Sequence, residues 1–375
     1  MASQAVFSRP GHFGSAEWEL EGRFLHITAP GLPPETYSLR ELTSVAGDDH
    51  TIHLGYQGSI MTLSRLGTAG AGLREQLLSE WPRVRAEALQ IAGTGESRRY
   101  AGTYTPLGGS PSPFAGLLYD DVLNLAPEGA DVRPLYLSSL AQITSDETTN
   151  TVSFRTWSGD GGTFSRLGPE ADEFAAALDD SRSRIRDEAI AVVANGLPTL
   201  PASVRNVLAT RWPAGEMLAL AALEAGSPDL ESALRTGWIG ETPRAANAQI
   251  LLEQSDATHV YVGHERRPNA AESPLWLLTG TADTWLLENL HEEDCSTYRF
   301  RASTEVPALT SLLLKSGRFS REALYAPLEQ LARAHNALAI PARDLPFLRD
   351  LRERFVERIA HDDPNSWRER VTGRA

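Results

Sequence analysis

One run of residues with chemical potential occurs twice. Thr62-Leu63-Ser64-Arg65-Leu66-Gly67 returns 101 residues later as Thr163-Phe164-Ser165-Arg166-Leu167-Gly168. In both copies an Arg stands just ahead of a segment with helical periodicity. Free backbone N–H groups at a helix start, assisted by a guanidinium, can bind anions, so Arg65 and Arg166 are candidate contact residues. The plainer role for the same residues is a strand end whose Gly permits the turn into the helix, and this is the expectation. His50 and His53 are three apart at a strand start, which places them on opposite faces and prevents shared metal ligation. His291-Glu292-Glu293-Asp294-Cys295 is dense in ligand atoms but lacks the alternating oxygens and turn Gly of a calcium loop. His264-Glu265 lacks the second His of a zinc-peptidase helix. Gly-x-Ser-x-Gly, P-loop and dinucleotide fingerprints are missing, and Gly159-Asp160-Gly161-Gly162 falls at a hairpin tip. These residues imply no metal, no cofactor and no catalytic set. Lys315 is the only lysine, so Schiff-base chemistry would have only this side chain and the amino terminus. Tyr56 and Trp157, beside hairpin tips, are candidates for exposed contact. The other tryptophans suit cores and domain interfaces.

The elements around the repeated run repeat as well. Leu73 pairs with Phe174, Leu77 with Leu178, Arg83 with Arg184, Val84 with Ile185 and Arg85 with Arg186. Upstream the offset becomes 98: Phe24-Leu25-His26-Ile27 matches Val122-Leu123-Asn124-Leu125, and Gly31 matches Gly129. The extra residues of the second copy fall in stretches rich in Gly, Asp, Asn and Ser, where hairpin tips belong. A repeat of this length is a duplicated domain rather than a solenoid unit. Period-2 alternation predicts strands at about 17–20, 23–28, 36–40, 42–46, 51–56 and 60–65 in the first copy. In the second it predicts them at about 101–105, 116–119, 121–126, 135–138, 140–144, 150–156 and 162–166. Each copy then switches to a helical stripe, through Leu73, Leu77, Val84 and Ala88 or Phe174, Leu178, Ile185 and Ala189. Pro82 should kink or break the first of these helices.

A small antiparallel β-unit closed by one trailing amphipathic helix resembles the pleckstrin-homology-like superfold, including its GRAM-type relatives. The resemblance covers about residues 5–92 and 98–194 and rests on element order and periodicity. It implies modules that bind lipids, peptides or proteins more often than they catalyse. The early strand loops, 28–35 and 108–113, carry no Lys or Arg, which argues against the phosphoinositide role of some members. The expected domains are 1–96 and 97–198, each a β-unit with its closing helix, and 199–375, an α+β part.

In that last part helices are expected at 202–236, including Pro213–Ala225. Strands follow over 248–301, starting with Ala248–Glu253, and helices over 305–372, one of them at about 344–360 with the stripe Leu348, Leu351, Phe355, Ile359. Tyr298-Arg299-Phe300-Arg301 followed by Leu309, Leu312 and Leu313 echoes the strand-to-helix junctions above, so residues 248–336 are a candidate third, diverged copy. Asp362-Asp363-Pro364-Asn365-Ser366-Trp367 has the form of a capped last turn, with Trp367 anchoring the tail.

A hydrophobic fraction of 41% and a charged fraction of 22% suit globular domains with real cores. A formal net charge of −14 disfavours nucleic acid and anionic membranes. The excess of Arg over Lys points to a GC-rich, bacterial genome. The start lacks a basic region and apolar run, and no stretch is apolar enough to span a membrane, so the cytoplasm is the expected compartment. With one Cys, Cys295, no intrachain disulfide forms. The expectation is an α+β, non-enzymatic adaptor for a protein or peptide, which would add to a sheet edge or to the groove beside a closing helix. The alternative is a small-molecule or lipid sensor with its pocket between the 202–240 helices and the 248–301 strands.

Overall fold

The computed structural model of the chain describes residues 3–224, 228–255, 257–265, 274–291, 296–316 and 321–373. It is an α+β structure in two compact units, Met1–Arg182 and Ser183–Ala375.

The first unit holds two seven-stranded antiparallel sheets. The first comprises β1 (Ser3–Arg9), β2 (His12–Glu21), β3 (Phe24–Thr28), β4 (Glu35–Ser38), β5 (Leu42–Gly47), β6 (Thr51–Tyr56) and β7 (Ser59–Ser64), in the order β4-β3-β2-β1-β7-β6-β5. Helix α1 (Ala69–Ala88) follows. The second comprises β8 (Arg98–Pro106), β9 (Ser112–Leu118), β10 (Val122–Pro127), β11 (Arg133–Tyr136), β12 (Leu140–Asp146), β13 (Thr151–Thr156) and β14 (Gly161–Ser165), in the order β11-β10-β9-β8-β14-β13-β12. Helix α2 (Ala171–Gly196) follows. Pairing of the first strand with the last curls each sheet, and alternation sends one face inward. Phe7, Leu25, Leu54 and Leu63 are buried in the first, and Val152, Phe154 and Phe164 in the second. Leu73 and Leu77 of α1, and Phe174 and Leu178 of α2, are buried as well. Phe174 sits edge-on to Phe164 and Tyr100, with ring centroids 5.1 and 4.7 Å apart.

Local irregularities recur at matching places. Both sheets slip register between the first residues of their fifth strand, at Leu42/Ser44 and at Leu140/Gln142. A short 3₁₀ turn precedes each slip, Leu39–Glu41 and Leu137–Ser139. The β5–β6 tip is tied by Asp48, whose Oδ1 accepts from the backbone N–H groups of His50 and Thr51 at 2.8 Å. The β12–β13 tip is tied by Asp146 in the same way, through Thr148 and Thr149.

Two expectations for this unit are corrected. Ser3–Arg9 is a strand, β1, although only Ala5 and Phe7 point inward along it. Its pairing with both β2 and β7 supplies what its own alternation lacks. Helix α1 runs through Pro82 without a break. Tertiary bonds hold the chain on both sides of the proline: Trp81 Nε1 donates to Leu42 O at 3.0 Å, and Arg85 is fully buried in an ion pair.

The second unit contains helices α3 (Ala202–Arg211), α4 (Leu220–Glu224), α5 (Pro228–Ala233, continued by a π-helical turn over Leu234–Ile239) and α6 (Ala245–Gln254). Its sheet is β15 (Leu218–Ala219), β16 (Val260–His264), β17 (Leu275–Gly280), β18 (Thr284–Asn289), β19 (Ser296–Arg301) and β20 (Phe355–Ala360). Between β19 and β20 lie α7 (Val306–Ser316), α8 (Glu322–Tyr325), α9 (Leu328–Ala334), α10 (Asn336–Asp344) and α11 (Pro346–Arg354), and α12 (Pro364–Thr372) ends the chain. The strand order is strictly sequential, β15 to β20. Among the described residues, the strands within 248–336 therefore do not show the wound order of the first two sheets. Ala248–Glu253 is helical within α6, and Leu218–Ala219, inside the expected helix Pro213–Ala225, is a strand. The expected helix over 344–360 ends at Arg354, where Phe355–Ala360 extends to pair with β19. Asp363 caps α12 through Asn365 and Ser366, and Trp367 is buried.

Candidate functional site

The two sheets of the first unit meet along the outer edge of β5. The turn after β10 covers that edge: Gly129 N donates to Val45 O at 3.1 Å, and Gly47 N donates to Glu128 Oε1 at 3.0 Å. Beside it, Arg85 of α1 makes a forked pair with Asp131, at 2.9 Å from Nε and 2.6 Å from Nη2, while its Nη1 donates to Arg40 O. The segment between the sheets is fastened too. Ile91 O accepts from the buried Asn124 Nδ2, and Thr94 N donates to Asp121 Oδ1.

The matching edge, β12, has a different environment. Arg182 Nη1 donates to Ala141 O at 3.0 Å. From Gln142 onward the strand is exposed or half-buried. At one end of the same sheet the β13–β14 tip presents Trp157, 49% exposed, and the β8–β9 tip presents Leu107, 56% exposed. Leu107 N donates to Gly161 O, which brings the two tips together. In the first sheet Phe13 and Ile60 are exposed near the corresponding tips. Proximity follows from the pairing of first strand with last, so sequence alternation alone could not show it.

Of the four candidate contact residues, Trp157 lies on this open rim. Tyr56 is half-buried, edge-on to Tyr37 at 5.1 Å, and its hydroxyl accepts from Gln57 Nε2. Tyr37 in turn donates to Glu35, and burial followed by that carboxylate raises its pKa. Arg65 and Arg166 are exposed, both in the left-handed region, with φ of 56° and 57°. The Leu that follows each is buried, and Gly67 and Gly168 then turn the chain at φ of 58° and 64°. The motif thus drives a leucine into the core between two left-handed residues. The four candidates do not converge on one point.

Between the sheets a cavity of about 210 Å³ is lined by Val45 and Ile52 of the first sheet, Leu78 and Trp81 of α1, and Phe114 and Ala115 of β9. Arg74, Arg99 and Glu128 border it.

In the second unit, described residues from the helical region and from the strands pack against each other. Trp212, Leu234 and Trp238 from the helical region join Val262, Leu275 and Leu277 from the strands in one continuous buried core. His264 lies in it beside Trp212 and Trp238, with ring centroids 5.2 and 6.2 Å away. Its Nε2 is 3.1 Å from Trp212 O, and a carbonyl only accepts, so this nitrogen carries the proton. Burial pushes its pKa down to about 4. Glu288, Thr297 and His361 come closest to a catalytic grouping. Thr297 Oγ1 donates to Glu288 Oε2 at 2.5 Å, and His361 Nε2 is 3.2 Å from both Glu288 Oε1 and Thr297 Oγ1. A relay needs the acid and the nucleophile on opposite imidazole nitrogens, whereas here both face the same one. Trp367 Nε1 adds a 2.7 Å bond to Thr297, and Glu288 and Thr297 are fully buried, so the network anchors α12 to the sheet. Lys315, 8% exposed, is paired with Glu216. Residues 292–295 of the acidic run after His291 lie outside the described residues.

Among the described residues, no helix is long and apolar enough to cross a membrane. Comparison of the chain with models of protein families and with curated protein sequences gives no match.

Proposed function

We propose that the protein is a non-catalytic adaptor whose first unit is a tandem of pleckstrin-homology-like domains, and that it binds a protein or peptide partner in extended form along β12. The observation that carries this reading is the contrast between two equivalent edges. β5 is covered by the neighbouring turn, while β12 has Ala141 O bonded to Arg182 and is exposed or half-buried from Gln142 onward, in a sheet whose rim presents the exposed Trp157. Such an edge accepts an added strand, with backbone bonds supplying affinity and a neighbouring aromatic supplying specificity. The repeat, the shared strand order and the shared bulge support descent of the two sheets from one ancestral module. The acidic net charge of −14 favours partners that are not themselves polyanions.

The test is a peptide-library selection against the full chain, followed by hydrogen exchange of the complex. Binders should slow exchange at Leu140–Asp146 and lose at least tenfold in affinity with Trp157→Ala. Protection elsewhere with β12 unchanged would remove the basis of the proposal.

A further inference from the structure

We infer that the cavity between the two sheets of the first unit is a binding site for a small apolar carboxylic acid. Its walls are aliphatic and aromatic: Val45, Ile52, Leu78, Trp81 and Phe114 contribute no charge, and the indole N–H of Trp81 is committed to Leu42 O. Protein interiors normally close such gaps, because an unfilled apolar void loses contacts in proportion to its size. An apolar cavity of roughly 150 Å³ stays dry and holds benzene. The space here, about 210 Å³, fits one aromatic ring with a short tail or a chain of roughly six to eight carbons, by the same comparison.

The polar border selects the head group. Arg74 is half-buried and its Nε donates to Gly47 O at 3.1 Å, which fixes the guanidinium at the edge of the cavity. Arg99 is exposed and makes no ion pair or hydrogen bond to any described residue, so its fork faces solvent uncommitted. Glu128 is exposed, and its Oε1 accepts from Gly47 N. A more open hollow continues from Arg99 past Glu75 and Glu80. Its lining balances Glu75 and Glu80 against Arg23 and Arg99, whereas Arg74 and Arg99 stand on the border of the apolar cavity itself and offer the head group its cations. A planar carboxylate matches a guanidinium fork, and the apolar walls offer none of the additional donors that a phosphate uses. The same chemistry is available from a free acid or from the carboxy terminus of a peptide ending in Phe or Leu. A space of about 210 Å³ is filled by one ring or a short chain, which a free acid supplies without ordering a peptide backbone, and the free acid is the source we assign.

The experiment titrates the full chain with octanoate, 3-phenylpropionate, the corresponding uncharged amides, and an acetylated tripeptide ending in Phe, monitored by calorimetry. At least one free acid should bind saturably, and at least tenfold more tightly than its amide. Arg99→Gln should abolish that preference without altering thermal unfolding, since the side chain has no described partner to lose. Ala115→Leu, which fills the cavity, should remove binding of acid and amide alike. If that variant fails to fold, Arg99→Gln still decides. Absence of saturable acid binding, equal affinity for acid and amide, or unchanged affinity in Arg99→Gln would each overturn the assignment. Binding of the tripeptide without either free acid would overturn the small-molecule source.

Discussion

Arg65 and Arg166 hold a backbone conformation that costs an L-residue about 1–2 kcal/mol. Their side chains are exposed and the buried residue at each site is the following Leu, so the guanidinium is dispensable for folding. Arg65→Gly relieves the strain but loosens the unfolded chain by about 0.5–1 kcal/mol. Its urea midpoint should match or slightly exceed that of the parent, while Arg65→Val should lose about 1 kcal/mol or more. A large loss in Arg65→Gly would mean that the arginine makes a contact folding requires. His264 gives a second prediction at this scale. Its folded pKa is depressed to about 4 from an ordinary 6.5, so above pH 6.5 it is neutral in both states and pH-independent. As pH falls from 6.5 towards 4 the unfolded chain takes up a proton that the core refuses. Stability should then drop by up to about 3 kcal/mol, at roughly 1.4 per unit. His264→Gln keeps an N–H donor for Trp212 O and should flatten that part of the denaturation-versus-pH curve; an unchanged slope would assign it to other groups.

At the scale of elements, the clamp between α1 and the turn after β10 carries unequal costs. Asp131→Ala removes the forked carboxylate partner of the fully buried Arg85 and should cost about 3 kcal/mol, the low end for a broken buried pair because Asp131 itself is a third exposed. Arg85→Ala leaves an aspartate that water can reach, so its cost comes chiefly from lost packing and should be smaller. Urea melts of the two variants test the order. The legible elements are those whose own residues alternate: β3, β5, β6 and β7 fall close to the expected segments, as do β10, β12, β13 and β14. β1 was illegible because its neighbours, rather than its composition, make it a strand. The helical stripe ending in Phe355 and Ile359 also satisfies a strand in which Phe355, Glu357 and Ile359 share a face, and pairing with β19 decides between them. The cavity had no local signature, since α1 of one repeat and β9 of the other build it together. Of the candidate contacts, Trp157 was legible from its hairpin tip, whereas the partnership of Tyr56 with Tyr37 depends on sheet closure.

For the molecule as a whole, charge is the property with the longest reach. With a net charge of −14, the chain should pass through a heparin column at roughly 0.15 M ionic strength, where surface fields extend only about 8 Å. Retention under those conditions would reveal a basic surface strong enough to outweigh the average. The basic residues that set this balance are almost all arginines, and the sole lysine is shielded in an ion pair with Glu216. Amine-directed reagents, whether fluorescent esters, biotin donors or bifunctional linkers, therefore have hardly any side-chain target in the folded protein. Labels meant for lysine should collect at the α-amino group and leave the remainder of the surface chemically silent. A partner captured by covalent trapping must instead be joined through carboxylates or by photochemistry.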